Sequence, residues 1–202
     1  TAALYNQNSF LGSLRELRTG KEGPSQTNVE DIVYGAITVR PFNEPSVVIM
    51  KHENPSGFAT QYEPEPLALT YRKAKDTDFR AAFGGTVLVN RPVDMDTAEA
   101  IRELFTEVIV APDYDDGVVS RLGRGSIRIF VYDEGKFKAI PIFTGDQSET
   151  EIKKLPDGSI IRSDPLLTPI RTVEDLRPYV ASQRQPTERE LRDLLTGYRI
   201  RL

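Results

Sequence analysis

A chain of 202 residues with 26 lysines and arginines against 30 acids carries a net charge of −4, and its length suits one well-buried α/β domain, or one with a small appendage. The basic residues are scattered among acids instead of forming a stripe, which argues against nucleic acid as a partner, and no run approaches the roughly 20 apolar residues that span a bilayer. The absence of cysteine rules out disulfides and thiolate metal sites. No basic segment followed by an apolar run opens the chain at Thr1 to Tyr5, so the expected location is the cytoplasm.

The leading segment is polar up to about Glu44, apart from one periodic run. Val29, Ile32, Val33, Ala36 and Ile37 share a helical face, and Asn28 is placed to cap that helix through its side-chain oxygen. Val47-Val48-Ile49-Met50 is short and mostly β-branched; it ends at Lys51-His52 and meets the turn-forming Asn54-Pro55-Ser56-Gly57, which predicts a buried strand opening onto a loop. Leu67 to Lys75 has helical spacing, and Thr86 to Val89 reads as a second buried strand. Thr97 to Phe105 places Ala98, Ile101, Leu104 and Phe105 on one helical face, Val108 to Val110 is a third strand, and Ile127 to Tyr132 a fourth. Strands alternating with helices predict a layered α/β fold with at least part of its sheet parallel.

Beyond Ala139 the pattern favours hairpins, through Ile140 to Phe143, Gly145, Lys154 to Asp157 with Gly158, and Ile160-Ile161. Thr187 and Glu190 have the spacing of a capping box ahead of a final helix that ends near Gly197. The alternating tail Tyr198 to Leu202 predicts continuation into further protein. One domain is expected, made of a leading segment 1–44, an α/β core 45–138 and a hairpin and helical extension 139–202.

His52 is the only histidine, so it is the only side chain whose ordinary pKa lies near neutrality. It sits at the carboxyl end of a predicted strand, the edge at which open α/β sheets bind ligands. The plainer reading is a histidine hydrogen-bonded in a loop. Adjacent strand residues point to opposite faces, so Lys51 and His52 serve one site only where the chain leaves strand geometry, as Pro55 and Gly57 would allow. The glycines of Ala82-Phe83-Gly84-Gly85 let backbone approach a ligand, or simply form a tight turn. Glu107 could accept hydrogen bonds from ligand hydroxyls or be a solvated carboxylate. No segment matches a phosphate-binding loop or a dinucleotide fingerprint, and no metal site is expected from one histidine without cysteine.

Five segments carry a resemblance: Lys51-His52-Glu53-Asn54-Pro55-Ser56-Gly57, Ala82-Phe83-Gly84-Gly85, Asn90-Arg91-Pro92-Val93-Asp94, Glu107-Val108-Ile109-Val110-Ala111-Pro112 and Arg184-Gln185-Pro186-Thr187-Glu188. In order and spacing, from Ala2-Ala3-Leu4-Tyr5 to Glu190-Leu191-Arg192-Asp193, the chain resembles the transformylase region of a bifunctional purine-biosynthesis family. That family combines 5-aminoimidazole-4-carboxamide ribonucleotide (AICAR) transformylase with inosine monophosphate cyclohydrolase. Ser56 stands where many members have Cys or Ala.

The resemblance implies a cytidine-deaminase-like mixed sheet with flanking helices, and it covers the first of two transformylase subdomains. An Arg-Tyr-Gly ligand motif, the second subdomain and the cyclohydrolase portion are not in this sequence. A partner is therefore expected, the second subdomain on the same precursor or another chain, within a homodimer or hetero-assembly. The implied reaction is formyl transfer to AICAR from 10-formyltetrahydrofolate as co-substrate. His52 would be the general base, Lys51 would stabilise the oxyanion or protonate the departing folate nitrogen, Asn28, Gly84 and Glu107 would contact the nucleotide, and Phe83 and Asn54 would shape the pocket. The alternative is a non-catalytic protein that binds an AICAR-like nucleotide or serves in assembly and retains the fold.

Overall fold

The computed structural model describes residues 8–20, 23–123 and 125–200; Ala2-Ala3-Leu4-Tyr5, Lys21, Glu22 and the last two residues of the tail lie outside them. The chain forms two compact units, 1–140 and 141–202.

In the first unit, β1 (Arg15–Arg18) precedes α1 (Gln26–Val39), β2 (Ser46–Lys51), β3 (Asn54–Thr60), α2 (Leu67–Thr77) and α3 (Phe79–Ala82). Then follow β4 (Gly85–Val89), α4 (Met95–Ile101), β5 (Thr106–Ala111), α5 (Val118–Leu122), β6 (Arg128–Val131) and α6 (Glu134–Lys138). The six strands form one mixed sheet in the order β1-β6-β5-β4-β2-β3. β4, β5 and β6 are parallel, whereas β2 runs against both β3 and β4, and β1 against β6.

Alternation along the strands divides the core into two layers, as a period of two requires. Val47, Ile49, Val87, Val89, Ile109 and Ile129 face Tyr71 of α2, Ile101 of α4 and Leu122 of α5. Val48, Met50, Leu88, Val108, Val110 and Phe130 face Ile32, Ala36 and Val39 of α1 and Phe137 of α6. Helices thus cover both faces of an α/β sheet. β3 and α2 approach closely at Gly57, where a Cβ would lie 2.0 Å from the Ala74 carbonyl oxygen.

Several sequence expectations shift. Ser25 caps α1, and Asn28 is the third helical residue. The inward stripe of α1 is Asn28, Asp31, Ile32, Gly35, Ala36 and Val39, a face rotated from Val29, Val33 and Ile37 because two polar residues of the first turns point inward. Asn54 to Gly57, expected as a loop, is the start of β3, since a two-residue turn suffices to reverse the chain. The helix expected over Thr97 to Phe105 is complete by Ile101. β1, α5 and α6 have too few residues to display a period.

In the second unit, β7 (Glu151–Lys154) and β8 (Ile160–Ser163) form a two-stranded antiparallel ribbon, with Ile152, Ile160 and Ile161 exposed. Pro141 cannot donate to a ladder, and the run into Phe143 makes a single bridge, to Thr168, instead of a strand. After α7 (Val173–Leu176), α8 (Glu188–Ile200) begins with the expected capping box and passes through Gly197. The Glu190 carboxylate accepts from the Thr187 amide at 2.8 Å, and the Glu190 amide donates to the Thr187 hydroxyl at 3.3 Å. Among the described residues no helix is long and apolar enough to cross a membrane.

Candidate active site

The first turn of α1 positions the first site residue. Ser25 Oγ accepts from the Asn28 amide at 3.1 Å while Asn28 Oδ1 accepts from the Ser25 amide at 3.1 Å, a reciprocal cap that satisfies two otherwise orphaned donors. With Oδ1 occupied by the cap, the side-chain nitrogen of Asn28 is left to donate to Glu107 Oε2 at 3.2 Å. Glu107 is presented by an irregularity in the ladder: Gly85 pairs with Thr106 but Thr86 pairs with Val108. Glu107 is the extra residue of that bulge, a device that re-aims a side chain.

Lys51, half-buried at the end of β2, donates from Nζ to the Gly84 carbonyl at 2.8 Å. Gly84 has φ +67°, a left-handed conformation that glycine adopts without steric cost, and its amide donates to the Phe105 carbonyl at 2.7 Å. A Cβ here would meet Lys51 Nζ at 3.2 Å, the Phe105 ring at 3.6 Å and Glu107 Oε1 at 3.7 Å. An ammonium, a carboxylate and an aromatic edge therefore converge on one backbone position. Phe83 and Phe105, both exposed, flank it with ring centroids 5.4 Å apart.

His52 and Glu53 form the two-residue turn between β2 and β3, with φ of +53° and +66°. These are the signs that a type I′ turn requires, a turn usually built from Asn-Gly. Each non-glycine residue in this region costs about 1–3 kcal/mol. Among the described residues, two hydrogen bonds to side chains support the turn. Asn54 Nδ2 donates to the His52 carbonyl at 2.8 Å, and the Glu53 amide donates to Asp31 Oδ1 at 2.7 Å. Bonds to charged groups contribute about 1.5–3 kcal/mol, the same order as the strain. The imidazole is exposed at the tip.

Asn28, Lys51, Gly84 and Glu107 are brought together, with Phe83 beside them, His52 on the adjoining turn and Asn54 at the start of β3. The chain leaves strand geometry at His52-Glu53, not at Pro55 and Gly57, which lie within β3. The edge also differs from the one expected. Because β2 opposes β4, its carboxyl end lies at the amino ends of β4, β5 and β6, so the rule for carboxyl ends of parallel strands does not place this cluster. Sequence reasoning missed Asp31 and Phe105; the signal available for Asp31 was its three-residue spacing from Asn28 on one helix.

Residues 1–201 match the model of a family described as the AICARFT/IMPCHase bienzyme. Bifunctional purine biosynthesis protein PurH of Chlorobaculum parvum is 37% identical over 209 residues, covering 99% of this chain and 36% of the relative. The protein of the same name from Pelodictyon phaeoclathratiforme is 36% identical over the same shares, and that of Persephonella marina 33% identical over 92% of this chain and 33% of the relative. The chain spans about a third of the length of the curated relatives it matches.

Proposed function

Because the chain belongs to the AICARFT/IMPCHase bienzyme family, we propose that it supplies the first of two transformylase subdomains, with a cytidine-deaminase-like fold, in a cytoplasmic purine-biosynthesis enzyme. The reaction is formyl transfer from 10-formyltetrahydrofolate to AICAR. A second subdomain, on the same precursor or another chain, completes the site within a homodimer or hetero-assembly.

The AICAR amine is a poor nucleophile, since its lone pair is delocalised into the ring and carboxamide. His52 takes the amine proton, directly or through the carboxamide, as the new nitrogen–carbon bond forms, which is general-base work suited to an imidazole. The bond from the formyl carbon to the folate nitrogen then breaks. Lys51 stabilises the transient oxyanion or protonates the leaving nitrogen, charge that appears mainly in the transition state. Asn28, Glu107 and the Gly84 backbone hold the nucleotide, and Phe83 and Asn54 bound the pocket.

The observation that carries this reading is the convergence of Lys51 Nζ and Glu107 Oε1 on Gly84, with Asn28 bonded to Glu107 and His52 next in the chain. The test is titration of the chain with AICAR, alone and with a second subdomain, followed by a formyl-transfer assay. Turnover that requires the second subdomain and disappears in His52→Ala, with AICAR binding retained, is the expected result. A stable complex that binds AICAR and never turns over would replace the enzyme with a nucleotide-binding or assembly protein.

A further inference from the structure

We infer that Asp31 is a positioning residue, whose carboxylate fixes the turn that carries His52 relative to the nucleotide contact at Glu107. Asp31 is 3% exposed, and aspartate is almost never fully buried without a partner. No lysine, arginine or histidine forms an ion pair with it among the described residues. Its partner is the Glu53 amide at 2.7 Å, in the length range of charge-assisted bonds. A buried carboxyl group has thus been placed against a main-chain donor, in the middle of a turn whose two central residues are both left-handed without glycine.

The helix gives this bond its consequence. Asn28 and Asp31 are one turn apart on α1 and both face the sheet; Asn28 holds Glu107 and Asp31 holds Glu53. A rigid helix therefore spaces the two, so the distance from general base to nucleotide is set by α1 and not by the hairpin alone. Loss of the Asp31 acceptor frees the turn to leave its left-handed conformation and carries the imidazole out of place, while Asn28 and Glu107 stay. Misplacement of this kind lowers turnover more than affinity.

The inference rests on the formyl-transfer reading for its kinetic arm and not for its structural one. With the second subdomain supplied, Asp31→Ala is expected to lower kcat about 10–100-fold with KM for AICAR within about twofold, and Asp31→Asn, which keeps an acceptor oxygen, to recover most of it. Glu53→Gly removes the strain that Asp31 opposes, so adding it to Asp31→Ala should restore part of kcat; a residue needed only for stability would give no such rescue. Amide hydrogen exchange of the chain alone should show protection of the Glu53 amide lost in Asp31→Ala and retained in Asp31→Asn. Wild-type kcat in a folded Asp31→Ala protein, or unchanged Glu53 protection, would overturn the inference. Should Asp31→Ala fail to fold, Asp31→Asn and the double variant decide it by the same readouts. If the wild type transfers no formyl group under any pairing, the functional reading fails separately and exchange at Glu53 decides the role of Asp31.

Discussion

Lys51 and Gly84, 33 residues apart in the chain, are joined by a 2.8 Å bond from the ammonium to the backbone carbonyl. The bond crosses from the end of β2 to the residue preceding β4, its antiparallel neighbour, so the cation's place depends on the pairing of β2 with β4. This pairing fixes the ammonium before any ligand arrives.

Lys51→Met should therefore leave the fold intact, since Lys51 is only half-buried, and lower the rate of formyl transfer. On the proposed role of Lys51, in which its ammonium meets charge that appears in the transition state, a fall of about 10²–10³ in kcat is expected. Steady-state kinetics with the second subdomain supplied would check it; a kcat within threefold of wild type would remove Lys51 from the chemistry.

Gly84→Ala places a methyl group 3.2 Å from Lys51 Nζ in a left-handed backbone. The conformation alone costs about 1–2 kcal/mol for an L-residue, and the methyl group crowds the ammonium. Denaturant unfolding should show a loss of that size, and calorimetry a weakened affinity for AICAR. Gly57→Ala should be worse for stability and leave the site chemistry untouched in whatever folds. Its Cβ meets the Ala74 carbonyl oxygen at 2.0 Å, and overpacking against backbone costs about 1–3 kcal/mol or more.

Glu107→Gln retains a side chain of the same shape and can still accept from Asn28, but it loses the charge that would receive ligand hydroxyls. Hydrogen bonds to charged groups are worth about 1.5–3 kcal/mol and neutral ones about 0.5–1.5. AICAR affinity should accordingly fall roughly 5–15-fold, read by titration calorimetry. Equal affinity in the two proteins would show that Glu107 makes no contact with the nucleotide.

Acid should loosen the start of α8 in a defined window. Hydrogen bonds from Arg184 first, then from the Thr187 amide and hydroxyl, hold the Glu190 carboxyl down at about 2 against an ordinary 4.5. A depressed carboxylate contributes stability that is fully present above its unfolded pKa and is lost as pH falls through the folded one, here from 4.5 towards 2. Carbon-detected NMR titration of Glu190 should give the low midpoint, and Arg184→Ala should raise it.

The α/β alternation was legible because β2, β4 and β5 are apolar on both faces and read as continuous runs, and because the final helix carries its own capping box at Thr187 and Glu190. β1 was not, since Arg15–Arg18 has no apolar residue except Leu17. The site was legible only as residue names. Spacing along the chain does not say that Asn28 reaches Glu107, 79 residues away, because strand order and a one-residue bulge decide it. Asp31 escaped for a related reason: an aspartate among apolar residues reads as solvent-facing until the rotation of α1 is known.

On the β7–β8 ribbon, Ile152 is paired across the ladder with Arg162, Ile161 with Lys153 and Ile160 with Lys154. Each exposed isoleucine is thus guarded by a cation, and edge lysines deter strand-to-strand association by repulsion. That protection is electrostatic and shortens with the Debye length, from about 8 Å at physiological ionic strength to about 3 Å in molar salt. Self-association through the ribbon is therefore expected to follow ionic strength: light scattering should show it rising with sodium chloride, and Ile160→Thr with Ile161→Thr should weaken the dependence.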